Sequence, residues 1–303
     1  MYLLFIFFPF VLAIERVNSN IKVEFDIADS LANIDDADVI LGSVQTLYQG
    51  KQGNKLKFSR LKRYNPEDFG ALLIDEAHHA PAKSYVEVID YFMNKDIMKQ
   101  FLLWGCTATP LRTDQISLLN IFGDVVFEKN LIELMKEKYL SPIIPISVSN
   151  SSTVIPLTEE DIARSEFEME KLSKIVNTIN RNKLIIQSFD EHISTSRKAT
   201  LVFACDLEHC NQLLSSFQEY FKSKNQCESL VTVVKGSTPL QERQHILEEF
   251  RAGNIKVLIN CGVFTEGVDI PNIDSIIIAR PTLSNILYYQ MIGRGLRPFL
   301  GKV

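Results

Sequence analysis

Asp75 and Glu76 are adjacent carboxylates that close an apolar run, Ala71-Leu72-Leu73-Ile74. Such a run suits a parallel strand buried on both faces. Two carboxylates at its end are costly unless a cation or hydrogen bonds hold them. In open α/β sheets ligands sit at the carboxyl ends of the strands. The pattern predicts a Mg²⁺-nucleotide site, in which Asp75 holds the ion, largely through its waters, and Glu76 polarises a water for attack on the γ-phosphate. His78, just beyond, is placed to sense that chemistry and pass it on. For the acidic pair alone, the competing reading is a strand end with a solvated turn.

A second set lies near the carboxyl terminus, in Gln290-Met291-Ile292-Gly293-Arg294-Gly295-Leu296-Arg297. On a helix, Gln290, Arg294 and Arg297 share one face. Neither guanidinium has a carboxylate nearby in sequence, and both need an anion. A γ-phosphate fits, met across an interdomain cleft by an arginine finger supplied in cis. A salt-bridged surface helix is the alternative. Weaker signals flank these sets. Thr265-Glu266-Gly267-Val268-Asp269 follows a buried strand; Gly267 allows close backbone approach and Asp269 is a polar strand-end group, as in many plain loops. Gly105-Cys106-Thr107-Ala108-Thr109-Pro110 ends another strand in a turn suited to packing beside the acidic strand. Lys51, Lys55, Lys57, Arg60, Lys62 and Arg63 populate residues 48–64, and 55–64 reads as a helix with one basic face. That face is either solvated or in contact with nucleic-acid phosphates. Cys205, His209 and Cys210 fit no standard zinc-ligand spacing.

The elements that must position these groups form two α/β patterns. A length of 303 residues, with 46% hydrophobic and 23% charged, suits a globular protein of two domains. The net charge of -5 excludes a generally basic nucleic-acid coat but not a local basic groove. Five cysteines without a Cys-x-x-Cys pair point to reduced thiols in an intracellular protein. Residues 1–13 are almost wholly apolar, lack a basic start, are interrupted by Pro9 and are short for a bilayer. They read as a core element of a domain whose beginning is missing. Strands are expected at 39–41, 71–74, 101–104 and 125–126, with helices at 85–93 and 131–138. A linker rich in Ser, Pro, Ile and Val spans 141–158, and a long helical segment 159–192 breaks near Asn180. Strands at 199–204, 230–234, 257–260 and 276–279 then alternate with helices at 207–221, 241–251 and 287–295. This alternation calls for a parallel sheet with right-handed crossovers.

Taken in order, Asp75-Glu76-Ala77-His78, Thr107-Ala108-Thr109-Pro110, Thr265-Glu266-Gly267-Val268-Asp269 and the Gln290–Arg297 stretch resemble the later motifs of superfamily 2 helicases of the DEAH type. Ser43-Val44-Gln45-Thr46-Leu47 looks like the earlier nucleic-acid-contacting motif. His79 and the Gly-Arg-Gly-Leu-Arg ending look most like the restriction-subunit-like branch, which includes fungal mitochondrial DNA branch-migration helicases. The resemblance implies two RecA-like domains with mainly parallel sheets, the first incomplete: 1–140, a linker at 141–165, and 166–303. It implies ATP and Mg²⁺ as cofactors, with Asp75 on the metal and Glu76 activating water. His78, Thr107 and Thr109 would couple hydrolysis to movement, and Gly267 and Asp269 would complete the nucleotide cleft. Gln290, Arg294 and Arg297 would close on the γ-phosphate. Ser43, Gln45, Thr46 and Thr265 would touch a nucleic acid, DNA rather than RNA. No membrane and no obligate protein partner are implied; a mitochondrial location is, without a visible transit peptide. The family's opening phosphate loop, Gly-x-Gly-Lys-Thr, has no counterpart before Asp75. The expectation is a core truncated at both ends, inactive or impaired as an ATPase, or else a nucleic-acid-binding or regulatory module that has lost hydrolysis.

Overall fold

The computed structural model describes residues 2–5, 18–27, 29–48, 60–93, 101–108, 118–149, 155, 167–264, 270–299 and 302. Its strands are short, and each four- to six-residue run is long enough for one buried pass. β1 (Tyr2–Phe5), β2 (Val23–Asp26), β3 (Val39–Gly42), β4 (Phe69–Ile74) and β5 (Leu102–Gly105) form one sheet in the order β2-β3-β1-β4-β5. All its pairings are parallel, so every connection crosses over rather than turning as a hairpin. Successive side chains leave a strand on opposite faces. Val39 and Leu41 accordingly pack with Val23, Phe25 and Leu73, while Ile40 packs with Leu72 and Ile74 on the other face.

That second face is covered by helices. α1 (Val44–Leu47) follows β3 directly, and α2 (Lys83–Phe92) buries Val88, Ile89 and Phe92. The Phe92 ring lies 5.0 Å from that of Phe69, edge-on, and Tyr64 meets Phe69 edge-on at 5.7 Å. A fully buried aromatic of this kind contributes roughly 1.5–3 kcal/mol from apolar burial. α3 (Leu119–Phe122) is a single turn beside β5.

The chain divides into two compact units, Met1–Glu128 and Lys129–Val303. Residues 129–140, expected in the first domain, therefore group with the second. Their exit is tied there, since Ser141 N–H donates to Leu296 O at 2.7 Å. The second unit holds β6 (Thr200–Phe203), β7 (Val231–Val234), β8 (Val257–Asn260) and β9 (Ser275–Ile278), all parallel, in the order β7-β8-β6-β9. Its helices are α4 (Leu131–Lys136), α5 (Met169–Val176), α6 (Ile179–His192), α7 (Leu207–Ser223), α8 (Leu240–Ala252) and α9 (Asn285–Gly293). Leu201, Phe203 and Leu258 pack on one face with Leu247 and Phe250 of α8 and Met291 of α9. Val202, Val257 and Ile259 pack on the other with Phe189 of α6 and Leu213, Phe217 and Phe221 of α7. Both faces are thus covered, which explains strands in which three residues of every four are apolar.

Two expectations change, and a third is refined. Val125 and Val126 form no strand; they are 63% and 71% exposed, and a β-branched pair without a neighbouring strand has nothing to pair with. The basic run is not a described helix: Arg60–Arg63 is a short 3₁₀ turn, and residues 49–59 lie outside the described part. The break in the long helical segment falls at Asn177–Thr178, where the Thr178 hydroxyl caps α6 by accepting from Arg181 N–H. No helix among the described residues is long and apolar enough to cross a membrane.

Candidate nucleotide and nucleic-acid site

The first cluster is built on two strand ends. β4 stops at Ile74, and Glu76 adopts φ 48°, ψ 49°, a left-handed conformation that costs a non-glycine residue about 1–3 kcal/mol. Hydrogen bonds hold the kink. Glu76 N–H donates to Asp75 Oδ1 at 2.9 Å, Ala77 N–H to Cys106 O at 2.8 Å, and Cys106 N–H to Ile74 O at 2.9 Å. The β4–β5 ladder therefore continues past both strands and fastens the acidic turn to the Cys106-Thr107 turn. Gly105 makes this possible. A Cβ there would stand 2.6 Å from the Phe122 ring and 2.9 Å from Ala77 Cβ, so only glycine lets the two turns approach.

The next three residues, Ala77–His79, form a 3₁₀ turn that drops His78 into the interior, where it is 3% exposed. Its Nδ1 lies 3.1 Å from Thr107 Oγ1 and 3.3 Å from Glu76 Oε2. Glu76, His78 and Thr107 are thus brought together around one imidazole nitrogen. The His79 ring lies 4.1 Å from that of His78 in a tilted arrangement and stacks on Tyr85 at 6.0 Å.

Ser43 follows β3 at the same carboxyl edge, two strands away from β4, or about 10 Å. Its hydroxyl accepts from Thr46 N–H at 3.2 Å and donates to Thr46 Oγ1 at 2.7 Å, capping α1. Thr46 is buried at 8% exposure, and Gln45 is exposed.

In the second unit, α9 starts at Ser284, whose hydroxyl accepts from Leu287 N–H at 3.3 Å. It ends at Gly293, earlier than expected, with Arg294 as its cap. Gln290 and Arg294 share a face; Arg297 is carried by the turn beyond the helix, because Gly295 closes onto β9, where a Cβ would meet Ile276 Cδ1 at 2.8 Å. All three side chains are half-buried. The Arg297 carbonyl accepts from Ser141 Oγ at 3.3 Å and Lys302 Nζ at 2.9 Å, and burial pushes the Lys302 ammonium down to about 8. Thr109, Thr265, Gly267 and Asp269 lie outside the described residues.

Two buried networks escaped sequence reading. Asp26, at the end of β2, is fully buried and accepts from Arg60 Nη1 (2.6 Å), Arg63 Nη1 (3.4 Å) and the Tyr64 hydroxyl. Arg60 and Arg63 also donate to Ser30 O and Ala32 O. Both arginines of the basic run thus serve an internal latch. In the second unit His209 is fully buried: Nδ1 accepts from Cys205 N–H at 3.3 Å, and Nε2–H donates to Asn182 Oδ1 at 3.1 Å. Asn182 extends the chain of bonds to Asn177 and Gln212. Both ring nitrogens are occupied by protein, which gives the His209–Cys205–Cys210 group a structural role. No signal local to either sequence segment reveals these partners.

Each of the two units is thus a parallel α/β layer structure, one with an acid pair at a strand end and one with arginines at and just beyond a helix end. The sequence matches the family model "Type III restriction enzyme, res subunit" over residues 12–112 and "Helicase conserved C-terminal domain" over 177–298. The chain belongs to the superfamily 2 helicases. It is 32% identical over 285 residues to IRC3 of Saccharomyces cerevisiae, assigned as an ATP-dependent helicase, covering 94% of this chain and 38% of the relative. It is 33% identical over 283 residues to irc3 of Schizosaccharomyces pombe, assigned as a mitochondrial ATP-dependent helicase, covering 93% of this chain and 43% of the relative. The chain thus spans about two fifths of the length of these relatives. Its fold is similar to a fragment of an assigned HsdR subunit of a type I restriction enzyme from Vibrio vulnificus YJ016. There the TM-score is 0.66 at 18% identity, covering 98% of this chain and 50% of that one. The DUF1998 helicase MrfA bound to DNA and AMPPNP is similar at a TM-score of 0.60 and 16% identity, covering 98% of this chain and 40% of that one.

Proposed function

We propose that this chain is part of an ATP-dependent helicase or translocase of the DEAH type that moves along nucleic acid. The observation that carries the reading is the meeting of Glu76, His78 and Thr107 at one buried imidazole nitrogen. Asp75 offers a hard oxygen ligand of the kind Mg²⁺ takes singly while keeping its waters. When bound, Mg²⁺ would offset the charge of the β- and γ-phosphates. Glu76 takes the proton of the attacking water. His78 relays the change at Glu76 to Thr107, and Thr107 and Thr109 pass it to strand movement. Gly267 and Asp269 complete the nucleotide-binding set, while Gln290, Arg294 and Arg297 meet the γ-phosphate. Ser43, Gln45, Thr46 and Thr265 touch the nucleic-acid backbone. DNA is the favoured track, which the DNA-bound state of MrfA supports, and the name of the Schizosaccharomyces pombe relative supports a mitochondrial setting.

Among the 303 residues no glycine is followed by Lys-Ser or Lys-Thr. The amide cradle and lysine of such a loop are therefore not in this sequence, and the 303 residues alone hydrolyse ATP slowly. The same observation supports a second reading, a nucleic-acid-binding or regulatory module without hydrolysis. Phosphate release from Mg²⁺-ATP, measured with and without single-stranded DNA, duplex DNA and RNA, separates the two. The chain alone and a version fused to a Gly-x-Gly-Lys-Thr strand and loop are compared. DNA-stimulated release by the fused version is expected. DNA binding with no release favours the second reading, and indifference to every nucleic acid rejects both.

A further inference from the structure

The carboxyl edge of the second sheet holds a cation that the reading above does not use. β8, β6 and β9 are neighbours, with Phe203 level with both Asn260 and Ile278. Just past that level stand Cys205, Cys261 and Arg280. The Cys205 thiol donates to the Ala279 carbonyl at 3.9 Å, and the Cys261 thiol to the Cys205 carbonyl at 3.2 Å. Three strand ends are thus tied together immediately beside Arg280. Burial pushes both thiols up, that of Cys205 to about 12, so both stay neutral donors; the positive charge of Arg280 opposes the rise at each.

Arg280 is half-buried, and its Nε is fully buried with no hydrogen-bond partner among the described residues. Arg243, whose Nε is also buried, spends its Nη2 on the carbonyls of Lys235, Gly236 and Thr238. No such bond from Arg280 exists among the described residues. The nearby carboxylate of Asp206 is engaged, accepting from His209 N–H at 2.7 Å and from the Ser173 hydroxyl. A half-buried guanidinium to which no carboxylate is hydrogen-bonded among the described residues suits a place to which an anion comes.

Arg297 is held by a different set of contacts. The Arg297 carbonyl is held by Lys302, whose charge feels Asp274. Asp274 accepts from Lys198 N–H and Ala199 N–H, at the amino end of β6. Asp274 thus marks the amino edge of the sheet, and Arg280, six residues further along the same strand, stands past its carboxyl edge.

We propose that Arg280, with the Cys205 and Cys261 thiols beside it, contacts a backbone phosphate of the bound nucleic acid. The inference rests on the nucleic-acid reading above. Its test is fluorescence anisotropy of a labelled single-stranded DNA titrated with the full chain at several salt concentrations. Arg280→Ala is expected to weaken binding about tenfold at low salt and to flatten the plot of log K against log[salt] by about 0.7, one phosphate contact's worth. Arg280→Lys keeps the slope. Thermal melts check that the variants fold, and Arg280→Gln, which also removes the charge and is expected to flatten the plot equally, carries the comparison if the alanine variant does not fold. Should wild type bind DNA while Arg280→Ala leaves slope and affinity unchanged, this inference falls and the nucleic-acid reading stands. Loss of fluorescent ATP-analogue binding with DNA binding intact reassigns the anion to the nucleotide and also overturns it. Failure of the wild type to bind any nucleic acid removes both.

Discussion

Replacing Asp26 with asparagine keeps the shape of the side chain and removes its charge. Asp26 is fully buried, and two guanidinium groups and the Tyr64 hydroxyl converge on it. Taking away one partner of a buried ion pair costs about 3–5 kcal/mol, because the other charge is left stranded. Here the Arg60 and Arg63 side chains are 20% and 33% exposed, so both recover some hydration. The amide oxygen also retains the hydrogen bond to one of them, although the NH2 group that replaces the second oxygen cannot accept from the other. The expected loss for Asp26→Asn is therefore nearer ~2–3 kcal/mol, or roughly 10 °C in Tm for a unit of this size. Thermal and urea unfolding followed by circular dichroism measures it. A loss under ~1 kcal/mol would show that the latch contributes little. Arg60→Gln and Arg63→Gln should meanwhile leave the salt dependence of oligonucleotide binding unchanged. A flatter salt dependence in either would mean that these arginines meet phosphate rather than Asp26.

Gly105→Ala forces a Cβ against the Phe122 ring and Ala77, and overpacking of that kind costs about 1–3 kcal/mol. Nucleotide-dependent activity should fall beyond what the stability loss explains, since the displaced neighbour carries the acidic turn; unchanged activity and melting would remove the close-approach argument. Burial lowers the His209 imidazole from 6.5 to about 4, opposed by Asp206 and reinforced by Arg181. Above pH 6.5 both folded and unfolded chains are neutral there; between pH 6.5 and 4 only the unfolded chain takes the proton. Stability of the second unit should thus be lost as pH falls through that window, by about 3 kcal/mol in all. Urea titrations at pH 7 and pH 5 check this, and a His209→Gln variant with the same pH slope as wild type would assign the loss to other groups.

The acidic strand was legible because an apolar run that ends in two carboxylates leaves few structural alternatives. The alternation of strands and helices in the second unit was legible for the same reason: apolar runs buried on both faces announce themselves. What escaped was non-local. Arg60 and Arg63 looked like a free basic face because their partner, Asp26, lies 34 and 37 residues earlier. β2 itself, Val23–Asp26, is a four-residue alternation too short to stand out from its surroundings. Val125 and Val126 carried strand propensity without a neighbouring strand to realise it. Arg297 left the expected helical face because Gly295 packs against Ile276, a contact nineteen residues away in sequence and invisible to helical periodicity.

Phosphate release by the chain fused to a Gly-x-Gly-Lys-Thr strand and loop, as wild type and as Glu76→Gln, tests the central assignment most directly. Removing a general base commonly costs ~10²–10⁴ in rate. The account predicts a loss of that size in DNA-stimulated turnover, with Mg²⁺-nucleotide binding retained because Asp75 is untouched, and little release from the 303 residues alone. Equal turnover in the wild type and Glu76→Gln would contradict the assignment of Glu76 as the base at the end of β4.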